Sequence, residues 1–267
     1  TIKVAVVGAT GRMGKLALDI IHGSQHLSLH AALDSKSELS QVIGADVVFE
    51  VTRLEVSEKV VDYCIANGLK VVVGTSGWSS NKLAALEHKL AASPTAAVVV
   101  IPNFSIGSML ASSFAAQAAK FFDSIEIVEA HHAGKIDSPS GTAVRTAELI
   151  AASRENAPLI PGVGQEARGE VVAGVPIHSL RLDGVSAKQS VMLGGTAELL
   201  TISHETSSVA AYSAGILASL RFALTTTGVH VGLESVLQGD IDKNRCICHR
   251  WTDTGLPFGS GSVRRRH

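Results

Sequence analysis

Ile2-Lys-Val-Ala-Val-Val7-Gly8-Ala9-Thr10-Gly11-Arg12-Met13-Gly14-Lys-Leu-Ala-Leu-Asp-Ile-Ile21 begins with an apolar, β-branched run and continues into a turn with three glycines. Met13, Leu16, Ala17, Ile20 and Ile21 then recur at helical spacing. That order predicts a strand, a tight turn and a helix. Glycine in such a turn lets the backbone approach a pyrophosphate, whose charge falls on the free N–H groups of the helix start. The spacing is GxxGxxG, and three glycines alone make only a turn. Their position between a buried strand and a helix is what points to a dinucleotide. Arg12 adds a cation there.

Asp34 ends the next apolar run, 20 residues after Gly14, where an acid accepts hydrogen bonds from the adenosine ribose. Asp-Ser-Lys-Ser is also ordinary turn chemistry. Lys36, two positions on, is placed to neutralise a 2′-phosphate, so NADH and NADPH both stay open. Gly74-Thr75-Ser76-Gly77 and Ile101-Pro102-Asn103-Phe104 follow later apolar runs, where open α/β sheets place ligands, though either is equally a turn.

Working outward, Leu27 to Leu33, Val47 to Val51, Val71 to Val73 and Ala97 to Ile101 read as short buried strands. Val56 to Ala66 and Lys82 to Ala91 read as helices between the later ones. Alternation of this kind predicts a doubly wound parallel sheet. From about residue 125 the rhythm changes. Ile125 to Ala130, Ile177 to Leu182, Gln189 to Leu193 and Leu199 to His204 are strands with few helices between them. Tyr212 to Ala223 is a helix expected to return to the first domain. The fold class is therefore α/β, a Rossmann-type parallel-sheet domain (1–104 and 212–237) plus a smaller α+β domain (105–211). Past Leu237 the composition turns polar, with Gly-Ser punctuation and Arg264, Arg265 and Arg266 near the end, and 238–267 is set apart as a tail.

The chain has 267 residues, 46% hydrophobic and 18% charged, with a formal net charge of -1. This is a globular composition with no basic footprint for nucleic acid or an anionic membrane. Cys64, Cys246 and Cys248 are too few for a disulfide framework. No apolar run approaches the roughly 20 residues of a membrane helix, and Thr1 to Val7 does not resemble a signal peptide. A cytoplasmic protein is expected.

Glu126-Ile-Val-Glu129-Ala-His131-His132-Ala-Gly-Lys135-Ile-Asp137-Ser-Pro139-Ser140-Gly141-Thr142 concentrates the chemistry. A strand delivers two histidines and a lysine into a loop that ends at a helix start. The start's free N–H groups and positive dipole end favour an anion, and Gly141 allows close approach. Lys135 adds a full charge, and histidine passes a proton near neutral pH. Singly, Ser138 or Ser140 is a cap and one histidine a surface residue. Jointly they describe an anion site with a proton relay. Zinc is disfavoured, because neighbouring strand residues face opposite ways and no cysteine is near.

This stretch resembles the signature of the dihydrodipicolinate reductase family of lysine and diaminopimelate synthesis. The GATGRMG turn, Val71-Val-Val-Gly-Thr-Ser-Gly-Trp78, Pro102-Asn-Phe-Ser-Ile-Gly107 and Val231-Gly-Leu-Glu234 are similar to further landmarks in the same order. The resemblance, over residues 2 to about 237, implies a homotetramer in which NADH or NADPH reduces a small cyclic dicarboxylate imine. The second domain would bind substrate and build the oligomer. His131 would give and take a proton, and Lys135 would donate one. His132, Gly141 and Thr142 would hold substrate carboxylate. Gly8, Ala9, Thr10, Gly11, Arg12, Met13, Asp34, Gly74, Thr75, Ser76, Ile101, Pro102, Asn103 and Phe104 would line the nucleotide, and no metal is implied.

The chain departs from the family in having Glu50-Val51-Thr52-Arg53 where Asp-Phe-Thr is usual, and Thr206-Ser-Ser-Val-Ala-Ala211 lacks the usual charged and aromatic residues. Two other readings stand beside the reductase. One is another Rossmann reductase of amino-acid metabolism, such as an aspartate or homoserine dehydrogenase. A semialdehyde dehydrogenase would need a nucleophilic cysteine, and Cys64 falls within a predicted helix. The other is a catalytically silent nucleotide-binding paralogue.

Overall fold

The computed structural model describes residues 1–162 and 164–241, the last four as backbone only. Cys246, Cys248, His249 and the arginine-rich end lie outside the described residues. The chain forms two compact units, Thr1–Phe104 joined by the segment that begins at Ser213, and Ser105–Tyr212.

The first unit runs β1 (Ile2–Val7), α1 (Arg12–His22), β2 (Leu27–Leu33), β3 (Val47–Glu50), α2 (Leu54–Ala66), β4 (Lys70–Val73), α3 (Ser80–Leu90) and β5 (Ala97–Val100). Six strands pair in parallel in the order β2-β1-β3-β4-β5 and then a late strand, Gly228–Val231. Val47, Val48, Phe49, Val71, Val72, Val73, Val98 and Val99 are all fully buried, although successive residues face opposite ways. The inner strands are covered on both faces, which explains why they read as continuous β-branched runs, whereas the edge strand β2 is partly exposed. One face packs on Val60, Val61, Cys64, Leu86 and Leu90 of α2 and α3.

Between β1 and β3 the strand order reverses, and the glycine turn sits there. Gly8 has φ +90, and a Cβ on it would overlap the Val51 carbonyl. A Cβ on Gly14 would overlap the Gly8 carbonyl, so α1 starts pressed against the turn.

The second unit contains α4 (Ile106–Ala118), β6 (Ser124–His131), α5 (Gly141–Ala152), β7 (Glu170–Val172), β8 (Val175–Arg181), β9 (Ala187–Gly195) and β10 (Glu198–Thr206). Its sheet has the order β10-β9-β6-β8-β7, with β6 and β8 parallel and the other pairs antiparallel. Ile125 and Ile127 of β6 pack with Ala115, Ala143, Ala147 and Ile150 of α4 and α5. The period of two along β6 puts Glu129 and His131 in the same row as those isoleucines.

The chain re-enters the first unit with α6 (Ser213–Thr225), β11 (Gly228–Val231) and α7 (Leu233–Ile241). Lys70 Nζ donates to the carbonyls of Leu224 at 2.9 Å and Thr226 at 2.7 Å, a cation at the C-terminal end of α6. Gly215 lies so close to Phe104 that a Cβ would overlap its carbonyl.

The strands expected from sequence are present within two residues at each end, and the expected fold class is the one observed. Sequence reading passed over α4, β7, β11 and α7. α4 is built from small residues, with Ser108, Ser112 and Ala115 on its buried side, so apolar spacing does not mark it. β7 and β11 are three and four residues long, too short for a period to register. The segment set apart at 238 begins inside α7, because a polar composition does not end a helix. Among the described residues, no helix is long and apolar enough to cross a membrane.

Candidate active site

Gly8 to Met13, Asp34, Gly74 to Ser76 and Ile101 to Phe104 follow β1, β2, β4 and β5 of one parallel sheet. All four segments therefore emerge at its carboxyl edge, where such sheets bind ligands. Gly11 is the N-cap of α1 and makes no side-chain cap bond, which leaves the helix start able to serve an anion. Asp34 Oδ1 accepts from the Lys36 N–H at 2.9 Å and the Ser37 hydroxyl at 2.9 Å. Those bonds, the Lys36 N–H first, hold its carboxyl below the ordinary value. Asp34 is thus a fixed, exposed anion. Ile101 is fully buried and Phe104 nearly so, which restricts their contribution at a nucleotide to backbone.

The unusual Glu50 lies beneath this edge, fully buried. Its Oε1 accepts from the Thr52 N–H at 2.7 Å, the Thr52 hydroxyl, and the Thr75 hydroxyl at 3.0 Å. Ser57 donates to Oε2 at 2.5 Å. The Thr52 N–H also reaches Thr75 Oγ1 at 2.9 Å. The acid ties the end of β3 to the loop after β4 and to α2. Arg53 stands exposed at the N-cap position of α2 without a capping bond.

In the second unit, His131 closes β6, His132 follows it exposed, and Lys135 is half-buried in the loop. His131 Nδ1 lies 2.6 Å from Glu129 Oε2. Lys135 Nζ pairs with Asp137 Oδ1 at 2.7 Å. Burial pushes the Asp137 carboxyl up, but Lys135 and the backbone N–H groups of Asp137 and Gly141 outweigh it and hold the group below its ordinary value. The lysine and the start of α5 therefore already act together on one carboxylate. Ser140 caps α5, accepting from the Ala143 N–H at 3.3 Å.

Sequence reading missed Glu129 and Arg181. Glu129 is fully buried. Arg181 Nη1 and Nη2 reach its two oxygens at 3.0 Å each, and the Ser140 N–H donates to Oε1 at 3.2 Å. Arg181 Nη2 also donates to the Asp137 carbonyl at 2.5 Å, so one guanidinium holds both the strand and the loop. A signal was present for Glu129, since an acid two residues before a histidine on a strand shares its face. Nothing local marked Arg181, which register alone places opposite His131.

Burial pushes the Glu129 carboxyl up, but the bonds from Arg181, Ser179 and His131 prevail and hold it below its ordinary value. Desolvation pulls the His131 imidazole below its ordinary value of 6.5, with Lys135 and Arg181 acting the same way and Glu129 opposing them. Among the described residues, no three His, Cys, Asp or Glu side chains converge as metal ligands.

Residues 2–104 match the family "Dihydrodipicolinate reductase, N-terminus" and residues 107–237 match "Dihydrodipicolinate reductase, C-terminus". The 4-hydroxy-tetrahydrodipicolinate reductase of Clavibacter sepedonicus is 53% identical over 261 residues, covering 97% of this chain and 94% of its own. At that coverage the match extends past Leu237. The enzyme of the same name from Streptomyces griseus subsp. griseus is 43% identical over 244 residues, covering 88% and 98%. Among solved structures, a dipicolinate-bound dihydrodipicolinate reductase from Paenisporosarcina sp. TG-14 superposes with a TM-score of 0.76 at 30% identity, covering 89% of this chain and 100% of its own. The scyllo-inositol dehydrogenase of Lactobacillus casei, at 15% identity and a TM-score of 0.57, shares the fold alone. The chain belongs to the dihydrodipicolinate reductase family.

Proposed function

We propose that this chain reduces 4-hydroxy-tetrahydrodipicolinate, or the dihydrodipicolinate formed from it by loss of water, to tetrahydrodipicolinate in lysine and diaminopimelate biosynthesis. The observation that carries this reading is the Lys135–Asp137 ion pair in the loop before α5, with the same lysine acting on the charge of the His131 imidazole. A substrate carboxylate has the same charge and shape as the Asp137 side chain. His132, Gly141 and Thr142 would hold that substrate group at the helix start. Lys135 would deliver the proton that the reduced ring nitrogen requires, and His131 would exchange protons with the site.

The residues present fit a nicotinamide nucleotide: a glycine turn in which backbone already fills the Cβ positions of Gly8 and Gly14, a helix start without a side-chain cap, and an exposed acid just after β2. Gly8 to Met13 would take the pyrophosphate, Asp34 the ribose, and Gly74 to Ser76 with Ile101 to Phe104 the remainder. When bound, that nucleotide supplies the hydride. Asp34 favours NADH, and Lys36 keeps NADPH usable. The assembled protein would be a cytoplasmic homotetramer.

The deciding measurement is loss of reduced-nicotinamide absorbance with freshly formed substrate present and absent. Substrate-dependent oxidation is expected. Nucleotide binding with no such oxidation would mean a silent paralogue and end the catalytic reading.

A further inference from the structure

Glu129 occupies the row of β6 that otherwise buries Ile125 and Ile127 under helices. A carboxylate there is costly unless its oxygens are fully partnered, and an apolar residue would extend the core at less cost. Arg181 accounts for two of its bonds, the Ser140 N–H for another, and Ser179 for one more. The remaining bond goes to His131, the residue assigned to proton exchange. A side chain needed only as a counter-ion for Arg181 has no call for the bond to His131.

Accepting the proposed activity as the frame, we infer that Glu129 is a positioning residue: it fixes His131 as the Nδ1–H tautomer, leaves Nε2 as the nitrogen that exchanges protons, and is itself held by Arg181. An ionised carboxylate only accepts hydrogen bonds, so the proton between Oε2 and Nδ1 belongs to the ring. The lone pair of the neutral imidazole is then on Nε2, and the bond made by one ring nitrogen sets the state of the other. His131 in this form begins as a proton acceptor, and its cation, once formed, faces an anion. Lys135 is left as the group that donates first. The charged groups bearing on the imidazole are Glu129 from its own strand, Arg181 from β8 and Lys135 from the loop.

Ring-nitrogen NMR on the full chain with labelled histidine tests this without turnover. His131 should be the Nδ1–H form at neutral pH and titrate below 6.5. In Glu129→Gln the midpoint should fall further, because the carboxylate that favours the cation is gone. The variant's kcat should drop about a hundredfold or more, with the KM for the nicotinamide nucleotide unchanged. A merely structural loss would leave the titration of the remaining folded protein where it was. Finding Nε2–H in the unmodified protein overturns the inference even where Glu129→Gln does not fold, and so does a folded Glu129→Gln with unchanged midpoint and kcat. Absence of turnover in the unmodified protein, with the Nδ1–H form present, would overturn the proposed reaction and leave the tautomer standing.

Discussion

Lys135 has a charge that can bind and a proton that can leave, and substitution separates the two. Arginine keeps the charge but stays protonated throughout the accessible range. Because His132 and the α5 start can still hold a carboxylate, Lys135→Arg and Lys135→Ala should both lower kcat by about a hundredfold or more, each tenfold loss being about 1.4 kcal/mol of transition-state stabilisation. Steady-state kinetics of both variants decide it: near-normal kcat in each would leave Lys135 without a catalytic part. Asp34 is a different case, since its bonds to Lys36 and Ser37 fix the carboxylate before any ligand arrives. Asp34→Ala should raise the KM for NADH by more than that for NADPH, and equal losses would take the acid away from the ribose. Both residues were legible in the sequence, because each lies inside a local pattern with a known chemical use. Glu129 was half legible, through its spacing from His131. Arg181 was not, because its partners are 44 and 52 residues away and only strand register brings them together.

At the level of elements, the site in the second unit depends on where α5 begins. Ser140 does two things there: its hydroxyl caps the helix, and its backbone N–H donates to Glu129. Ser140→Ala removes the first and keeps the second. It should cost about 1 kcal/mol of stability, read as a lower midpoint in denaturant, with kcat little changed. A large fall in kcat would mean that the hydroxyl contacts substrate. Strands β1, β3, β4 and β5 were legible because strands covered on both faces leave β-branched runs, β2 through its spaced leucines and alanines, and β6 because it alternates. α4 was hidden by its small residues, and the start of α2 at Leu54 was hidden because Arg53 at its N-cap position gives no capping signal. Boundaries set by tertiary contact, in place of a cap or a glycine, are the ones that sequence left blurred.

For the whole molecule, α7 sets where the chain can be shortened. Val236 and Leu237 are buried, and the helix continues to Ile241. Ending the chain after Ile241 should leave the thermal midpoint and turnover unchanged, whereas ending it before Leu233 should unfold the first unit. Loss of either property on the first truncation, followed by calorimetry and activity, would give residues 242–267 a part in the fold. The two-unit plan was legible from the change of rhythm near residue 125. The contact that closes it was not, since nothing in Tyr212-Ser-Ala-Gly215 announces Phe104 as its neighbour. That contact has a further consequence. The chain departs after Phe104 and comes back at Ser213, and Gly215 rests against the carbonyl of Phe104, so the two cut ends of the nucleotide-binding unit already meet. Residues 105–212 are in this sense a cassette. Splicing the gap with a few residues should yield a short chain that keeps all six parallel strands and binds NADH without turning over substrate, and a lineage could replace the cassette, and with it the substrate, while the cofactor half stayed as it was.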